Sequence, residues 1–134
     1  MLFNGNYPCD AGLYLRLSRE DGDKFESDSI KNQRQLIEDF LKDKPRMKFV
    51  REYADDGYSG TTFERPGFQN LLEDAEKKMF DTILVKDLSH IGRNYIQTGH
   101  YIEEYFPERN IRVIAVNDNF DSSRSDNDFA PFKN

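Results

Sequence analysis

The stretch AGLYLRLSRED, residues 11–21, contains the features that decide the fold and the position of a candidate site. Its first seven residues are apolar apart from Arg16, which is typical of a buried β-strand. Side chains alternate along a strand, so Tyr14, Arg16 and Ser18 point to one face while the leucines point to the other. The strand is therefore predicted to end by presenting an arginine beside a serine.

Strand-like and helix-like segments alternate through the rest of the chain. Apolar residues at three-to-four spacing predict helices, the first capped by Asp28 or Ser29 and the third stopped near Pro107. The predicted strands are 11–17, 48–56, 81–88 and 111–118, and the predicted helices are 29–44, 66–78 and 95–106. This order predicts a three-layer α/β domain in which helices flank a mainly parallel central sheet of four to five strands. Residues 1–10 are predicted to be a flexible leader, and the polar tail 119–134 to begin a further element.

Composition limits the classes of function. The 134 residues suit one domain, and the net charge of −6 disfavours a dedicated nucleic-acid-binding domain, although not a catalytic domain that another module delivers to DNA. The single cysteine, Cys9, cannot form an internal disulfide, which favours an intracellular, cytoplasmic protein. No apolar run approaches the roughly 20 residues that a membrane-spanning helix needs, so no membrane partner is expected.

Three groups of polar residues lie at the ends of the predicted strands or just after them. They are Arg16 and Ser18 at the first strand, Asp55, Ser59 and Arg65 at the second, and Ser89, His90 and Arg93 at the third. Ligands of such sheets bind at the carboxyl ends of the strands, so the three groups are expected to meet. A serine hydroxyl needs activation before it attacks, and arginines stabilise a transferring phosphoryl group without a metal. The groups therefore predict phosphoryl-transfer chemistry.

The segment after the second strand predicts an anion site. Arg65 precedes Pro66, a residue that suits the first turn of a helix. A helix N-terminus offers free backbone N–H groups, and a neighbouring guanidinium adds positive charge. The third strand is followed in the same way by Arg93, where a cation opposes the helix dipole and calls for a bound anion.

Five ordered segments resemble the catalytic domain of the serine recombinases, the resolvase/invertase group. The resemblance is strongest to large transposon-type integrases and resolvases, and it covers nearly the whole chain from residue 11. The segments are YLRLSRED, SIKNQRQLI, YADDGYSGTTFERPGFQNLL, DTILVKDLSHIGRNYIQTGHYIE and RVIAVNDNFDS. The resemblance implies that residues 11–134 form an N-terminal catalytic domain, truncated before a long dimerisation helix and DNA-binding domains, and that this fragment alone is inactive.

The resemblance also implies roles for individual residues. Ser18 matches the nucleophile that cleaves and rejoins DNA through a covalent 5′-phosphoserine during excision or integration of a mobile element. The other matched positions are the phosphate-binding Arg16, Arg65 and Arg93, the supporting Gln33, the loop residues Asp55 and Ser59, and Ser89 and His90, which stand where the family usually has Asp-Arg. The family needs no metal, cofactor or energy source. The resemblance implies a bacterial, cytoplasmic protein that associates with the nucleoid. Family members act on DNA as homodimers that pair into a synaptic tetramer, and this chain would reach DNA through the full-length protein.

His90 is the departure that most affects the expected chemistry. Histidine cannot form an arginine fork, although it is able to carry charge near pH 6–7. It is expected either to weaken activity or to take part in proton transfer. His100 is expected to be structural or on the surface.

Two alternative functions stay open at this point. In the first, Asp55, Asp56 and Asp87 hold Mg²⁺ in a metal-dependent phosphoryl transferase. In the second, the chain is a catalytically degenerate regulatory or oligomerisation domain with the same fold. His90 favours this second alternative, and the retained serine and arginines oppose it.

Overall fold

The computed structural model describes residues 9–17, 29–59 and 61–124. The predicted nucleophile Ser18 lies outside the described residues, as do most of the predicted leader and the end of the tail. The strands are β1 (Cys9–Leu17), β2 (Met47–Asp56), β3 (Thr82–Val85), β4 (Arg112–Ala115) and β5 (Phe120–Asp121). The helices are α1 (Ile30–Lys42), α2 (Pro66–Glu76), α3 (Tyr95–His100) and α4 (Phe106–Glu108).

The strands form one sheet in the order β2-β1-β3-β4-β5. The first four strands are parallel, and β5 runs antiparallel to β4. The predicted α/β domain with a mainly parallel sheet is therefore confirmed. In the parallel pair β1–β2, Arg16 lies opposite Asp55, which brings two predicted site residues to the same edge.

Both faces of the sheet are buried, as a parallel sheet requires. On one face Leu13 and Leu15 pack with Ile37 of α1. On the other face Tyr14 packs in a larger cluster with residues of α2 and α4, such as Phe68 and Phe106. The alternation predicted for β1 is confirmed, since Leu13 and Leu15 pack in one core cluster and Tyr14 packs in the other, on opposite faces of the sheet.

Several boundaries differ from the predicted ones. The strand β1 begins at Cys9, within the predicted leader, because the Cys9 N–H donates to the carbonyl of Arg46 at 2.8 Å and the strand pairs with β2 from its first residue. The strand β3 is shorter than predicted, and Leu88–His90 instead forms a 3₁₀ turn. Of the two caps predicted for α1, Ser29 is confirmed, since its hydroxyl accepts from the Asn32 N–H at 3.1 Å.

The helical segment after β3 ends at Glu108, close to Pro107 as predicted, and it includes the proline. Between α3 and α4 lies a π-helical turn, Tyr101–Tyr105, in which the Phe106 N–H reaches back to the carbonyl of Tyr101. Proline lacks an N–H and its ring collides with the carbonyl four residues earlier. The wider π turn changes the hydrogen-bond ladder just ahead of the proline, so one further helical turn, Phe106–Glu108, is accommodated.

Candidate active site

The carboxyl end of β1 is held by a side chain from α1. Gln33 is fully buried, its Nε2 donates to the Arg16 carbonyl at 2.8 Å, and its Oε1 accepts from the Arg16 N–H at 3.1 Å. The amide thus replaces both hydrogen bonds that another strand would supply at this position. Gln33 thus fixes the main chain at Arg16, two residues before Ser18 in the sequence. This contact is consistent with the supporting role expected of Gln33.

The Arg16 side chain joins the loops that follow β2 and β3. Its Nη1 donates to the Tyr58 carbonyl at 3.1 Å, its Nη2 to the Ser89 carbonyl at 3.0 Å, and its Nε to the His90 carbonyl at 3.3 Å. Only 1% of the residue is exposed. The three predicted polar groups therefore do meet, and Arg16 is the residue that connects them.

Arg65 supports the same loop from the other side. Its guanidinium donates to the carbonyls of Thr62, His90 and Ile91, at 2.8 Å and 3.2 Å for the first two, and to the Tyr14 hydroxyl at 2.9 Å. Burial lowers the pKa of Arg65, and the nearby Tyr14 hydroxyl and Asp55 carboxylate oppose that shift. The guanidinium carbon also lies 4.9 Å from the centre of the Phe68 ring, a cation–π distance that offsets part of the lost hydration.

The anion at the start of α2 is supplied by the protein itself. Asp55 accepts from the Gly67 N–H at 2.7 Å through Oδ1 and from the Phe68 N–H at 2.9 Å through Oδ2. The Tyr14 hydroxyl donates to the same Oδ2 at 2.7 Å, and burial together with this bond raises the pKa of Tyr14. The sequence-based expectation of an external anion at these N–H groups is therefore wrong, because a buried carboxylate from the end of β2 already caps them.

Gly67 is required for this contact. A Cβ at this position would lie 2.7 Å from the carbonyl oxygen of Ala54 and 2.8 Å from Oδ2 of Asp55. Both distances are shorter than any stable contact, so a larger residue would push α2 away from β2. The glycine thus allows the helix N-terminus to approach the carboxylate that caps it.

The loop after β3 carries the third predicted group. The Ser89 hydroxyl donates to Oδ1 of Asp87, and Oδ2 of Asp118 accepts from the Leu88 N–H at 2.8 Å. His90 is 3% exposed, and its carbonyl accepts from both buried arginines. The 3₁₀ turn is thus held by side chains from several elements, which makes it a rigid platform.

Arg93 differs from the two buried arginines because its side chain is exposed. It is followed by Asn94, whose Oδ1 accepts from the N–H groups of Ile96 and Gln97 at 3.0 and 3.1 Å and so caps α3. Arg93 borders a pocket of about 470 Å³. The lining of this pocket is Asp87, Leu88, Ser89, Gly92, Arg93, Tyr95, Thr98 and Asp118.

The structure therefore separates the predicted site residues by environment. Arg16, Arg65, Gln33 and Asp55 form a buried framework, whereas Ser89 and Arg93 are exposed. Ser59 lies in the loop beside Tyr58, and its hydroxyl is 2.9 Å from that of Thr61. The predicted contact of each arginine with a phosphate stays a prediction.

The sequence did not predict the roles of two residues, Tyr14 and Asp118. Tyr14 links Arg65 to Asp55, and the alternation along β1 already placed it on the face of Arg16. Asp118 holds the start of the 3₁₀ turn, and its position in the turn that follows β4, at the same edge of the sheet, was the available signal.

A membrane-spanning helix would have to be longer and more apolar than any in the described part of the chain. Within the same residues, no group of three or more His, Cys, Asp and Glu side chains is close enough together to hold a metal ion. Asp55, proposed as a metal ligand in one alternative, instead uses both carboxylate oxygens to cap α2 and bind Tyr14.

Comparison with known proteins identifies the family. The model of the resolvase N-terminal domain matches residues 11–130. The chain belongs to the resolvase N-terminal domain family. A protein of Bacillus subtilis (strain 168) described as a DNA recombinase is 33% identical over 111 residues, which are 83% of this chain and 21% of that protein. The chain therefore spans about a fifth of the length of this relative.

Solved structures support the same assignment. The crystal structure of the N-terminal catalytic domain of TP901-1 integrase is 29% identical, with a TM-score of 0.77 over 87% of this chain and 83% of that one. A resolvase family site-specific recombinase from Streptococcus pneumoniae is 24% identical, with a TM-score of 0.69 over 87% of this chain and 78% of that one, and it supports the fold. The chain thus has the sequence features and the fold of serine recombinase catalytic domains.

Proposed function

We propose that this domain cleaves and rejoins DNA phosphodiesters with Ser18 as the nucleophile. The observation that carries the proposal is the convergence of three strand ends on Arg16, two residues before Ser18. The Gln33 clamp and the Arg16 contacts together fix the carboxyl end of β1, the strand that precedes Ser18 in the sequence. A nucleophile at that position would start from a preorganised main chain, which lowers the entropic cost of attack.

The proposed reaction exchanges one phosphodiester for another. The Ser18 oxygen bonds to phosphorus, its proton passes to a base, and the bond between phosphorus and the 3′ oxygen breaks. The departing 3′ oxygen takes up a proton, and the 5′ phosphate stays on the serine. Attack by a 3′ hydroxyl on this phosphoserine reverses the steps and rejoins the strand, so no external energy source is needed.

The charges of the three arginines would stabilise the phosphorane-like transition state in different ways. Arg93 is exposed and is able to contact a phosphate oxygen directly. Arg16 and Arg65 are buried behind the loop 88–91, and their positive charge raises the local potential in a domain whose net charge is −6. Direct contact between either buried guanidinium and the phosphate would require exchange of a carbonyl contact for a phosphate oxygen.

Whole-protein properties belong to the same proposal. A dimer on DNA, a tetramer during strand exchange, a role in excision or integration of a mobile element and a place on the bacterial nucleoid follow from the family resemblance. The net negative charge supports delivery to DNA by another part of the protein, since the phosphate backbone repels a negatively charged domain.

The test uses the protein expressed from its complete gene. It is incubated in EDTA with cognate-site DNA that carries a nick to trap cleavage, and a denaturing gel separates protein–DNA adducts. The proposal predicts an adduct in EDTA that is absent for Ser18→Ala. Adduct formation that needs a divalent metal would contradict it and would favour the metal-dependent alternative.

A catalytically degenerate regulatory domain is the second candidate function. The contacts of Arg16 and Arg65 with the protein's own carbonyls favour it, because those donors hold the loops together instead of facing a ligand. Binding of the DNA site without any adduct, for the wild type and Ser18→Ala alike, would support this candidate over the catalytic one.

A further inference from the structure

The pocket beside Arg93 has the size and lining of a ligand site. Its volume of about 470 Å³ lies within the range of roughly 300–1,000 Å³ that small-molecule sites occupy. It opens between the 3₁₀ turn after β3, the helix α3 and the turn after β4. The buried framework of Arg16 and Arg65 supports one wall, since both hold carbonyls of the loop that includes Ser89.

Side chains of both charges line the pocket. Arg93 is exposed, whereas Asp87 and Asp118 supply two carboxylates. Oδ2 of Asp118 accepts from the Leu88 N–H, and Oδ1 has no partner among the residues that the structure describes. A phosphate is attracted to the arginine and repelled by the carboxylates. A ligand with an anionic group and a hydrogen-bond donor at some distance from it would satisfy both ends.

An aromatic ring completes the lining. Tyr95, the first residue of α3, is 64% exposed, so much of its ring faces solvent. Exposed aromatic rings beside positive charge are the platforms on which proteins stack bases of unpaired nucleic acid. Thr98 also lines the pocket, and its buried Oγ1 has no hydrogen-bond partner in the part of the chain that the structure describes.

We propose that this pocket binds the nucleobase adjacent to a phosphate held by Arg93, and that it prefers bases with an exocyclic amino group. Tyr95 stacks on the base, and the Asp118 carboxylate accepts from the amino group. This assignment rests on the proposed action on DNA, and it adds a base preference that phosphate contacts alone do not provide.

The carboxylates determine the direction of the preference. Cytosine, adenine and guanine carry amino groups that a carboxylate accepts from, and a carboxylate–cytosine N4 contact is a known form of base recognition. Thymine and uracil present a carbonyl at the position of the cytosine amine, and two acceptors facing each other repel. Asp118 is therefore expected to select against both.

The experiment compares dCMP with dUMP, two nucleotides that differ in the amine-for-carbonyl exchange. Each is titrated into the chain labelled with ¹⁵N, and amide shifts are followed by NMR. We expect dCMP to bind at least fivefold more tightly than dUMP, with shifts at Tyr95, Thr98 and Asp118. Equal affinities, or the same shifts with inorganic phosphate alone, would overturn the proposal.

Variants separate the base contacts from general effects. Asp118→Asn keeps an oxygen for the Leu88 N–H and turns an amide donor toward the base, so the preference for dCMP should fall or reverse in favour of dUMP. Tyr95→Ala should weaken binding of both nucleotides several-fold, while Tyr95→Phe should not. Ile96→Ala is the matched control, because Ile96 is 86% exposed and lies next to Tyr95 but outside this pocket.

The outcome for the pocket is independent of the outcome for Ser18. Discrimination between dCMP and dUMP by the wild type, lost in Asp118→Asn, supports the pocket even where no covalent adduct forms. An adduct at Ser18 with no discrimination in the titration would overturn the pocket and leave the proposed recombinase function standing.

Discussion

Replacement of Asp55 by asparagine tests the framework behind the candidate site. The carboxylate accepts three hydrogen bonds, from the N–H groups of Gly67 and Phe68 and from the Tyr14 hydroxyl. Asparagine has one oxygen in place of two, so it retains at best the two bonds made to Oδ2. The amide nitrogen then faces the Gly67 N–H, and two donors oppose each other in a buried site.

The cost follows from these losses. A buried donor without a partner costs about 1–3 kcal/mol. Loss of the negative charge at the N-terminus of α2 adds roughly 1 kcal/mol, because the carboxylate also stabilises the helix dipole. Asp55→Asn is therefore expected to lower the free energy of unfolding by about 3 kcal/mol, within the range of about 2–4 kcal/mol that the same two effects allow.

Urea-induced unfolding, followed by far-ultraviolet circular dichroism, measures this change. Asp56→Asn is the matched control, since Asp56 is the adjacent carboxylate and is exposed. The control should stay within about 0.5 kcal/mol of the wild type. Equal stability of Asp55→Asn and Asp56→Asn would refute the assignment of Asp55 as the cap of α2.

Three further predictions concern stability. Gly92→Ala should destabilise the fold by about 1–3 kcal/mol in thermal unfolding, because the new Cβ would collide with the Phe63 ring; unchanged stability would contradict this packing. Asp121→Asn should make the free energy of unfolding depend less on pH in acid. Burial raises the pKa of Asp121, but the hydrogen bonds from Arg112 and Ser123 have the larger combined effect and lower this pKa. Stability from this pair is thus full above the unfolded pKa of about 3.9 and lost as pH falls through the lower folded value, and parallel pH profiles for mutant and wild type would disprove the role. Gln33→Leu should cost about 2–4 kcal/mol in urea unfolding, since two buried main-chain groups of β1 lose their partner; a neutral result would show that the clamp is dispensable.

The fold was predictable because its signals are local. The alternation along β1 and the spacing of apolar residues in α1 follow from the periods of strands and helices, so the layers and the parallel sheet could be inferred from the sequence. The π turn before Pro107 was not predictable, because it depends on how the helix resolves a missing N–H and a steric clash.

The sequence predicted that the three strand ends meet, but it did not predict the contacts that hold them together. The three polar groups had to meet, since parallel strands end at the same edge of the sheet. The conformation of the loop 88–91 decides which carbonyls Arg65 contacts. The N–H groups at the start of α2 can donate to the Asp55 carboxylate as readily as to an external anion. Arg65 and His90 are 25 residues apart in the sequence, so tertiary packing and not local sequence decides whether they contact each other.

Mapping the DNA-linked residue tests the central claim most directly. The protein from the complete gene is trapped on nicked cognate DNA in EDTA, the adduct is digested with trypsin and nuclease, and mass spectrometry locates the remaining nucleotide. We predict a nucleotide joined through its 5′ phosphate to Ser18. Linkage to any other residue, or a trapped complex with no covalent nucleotide, would contradict the account.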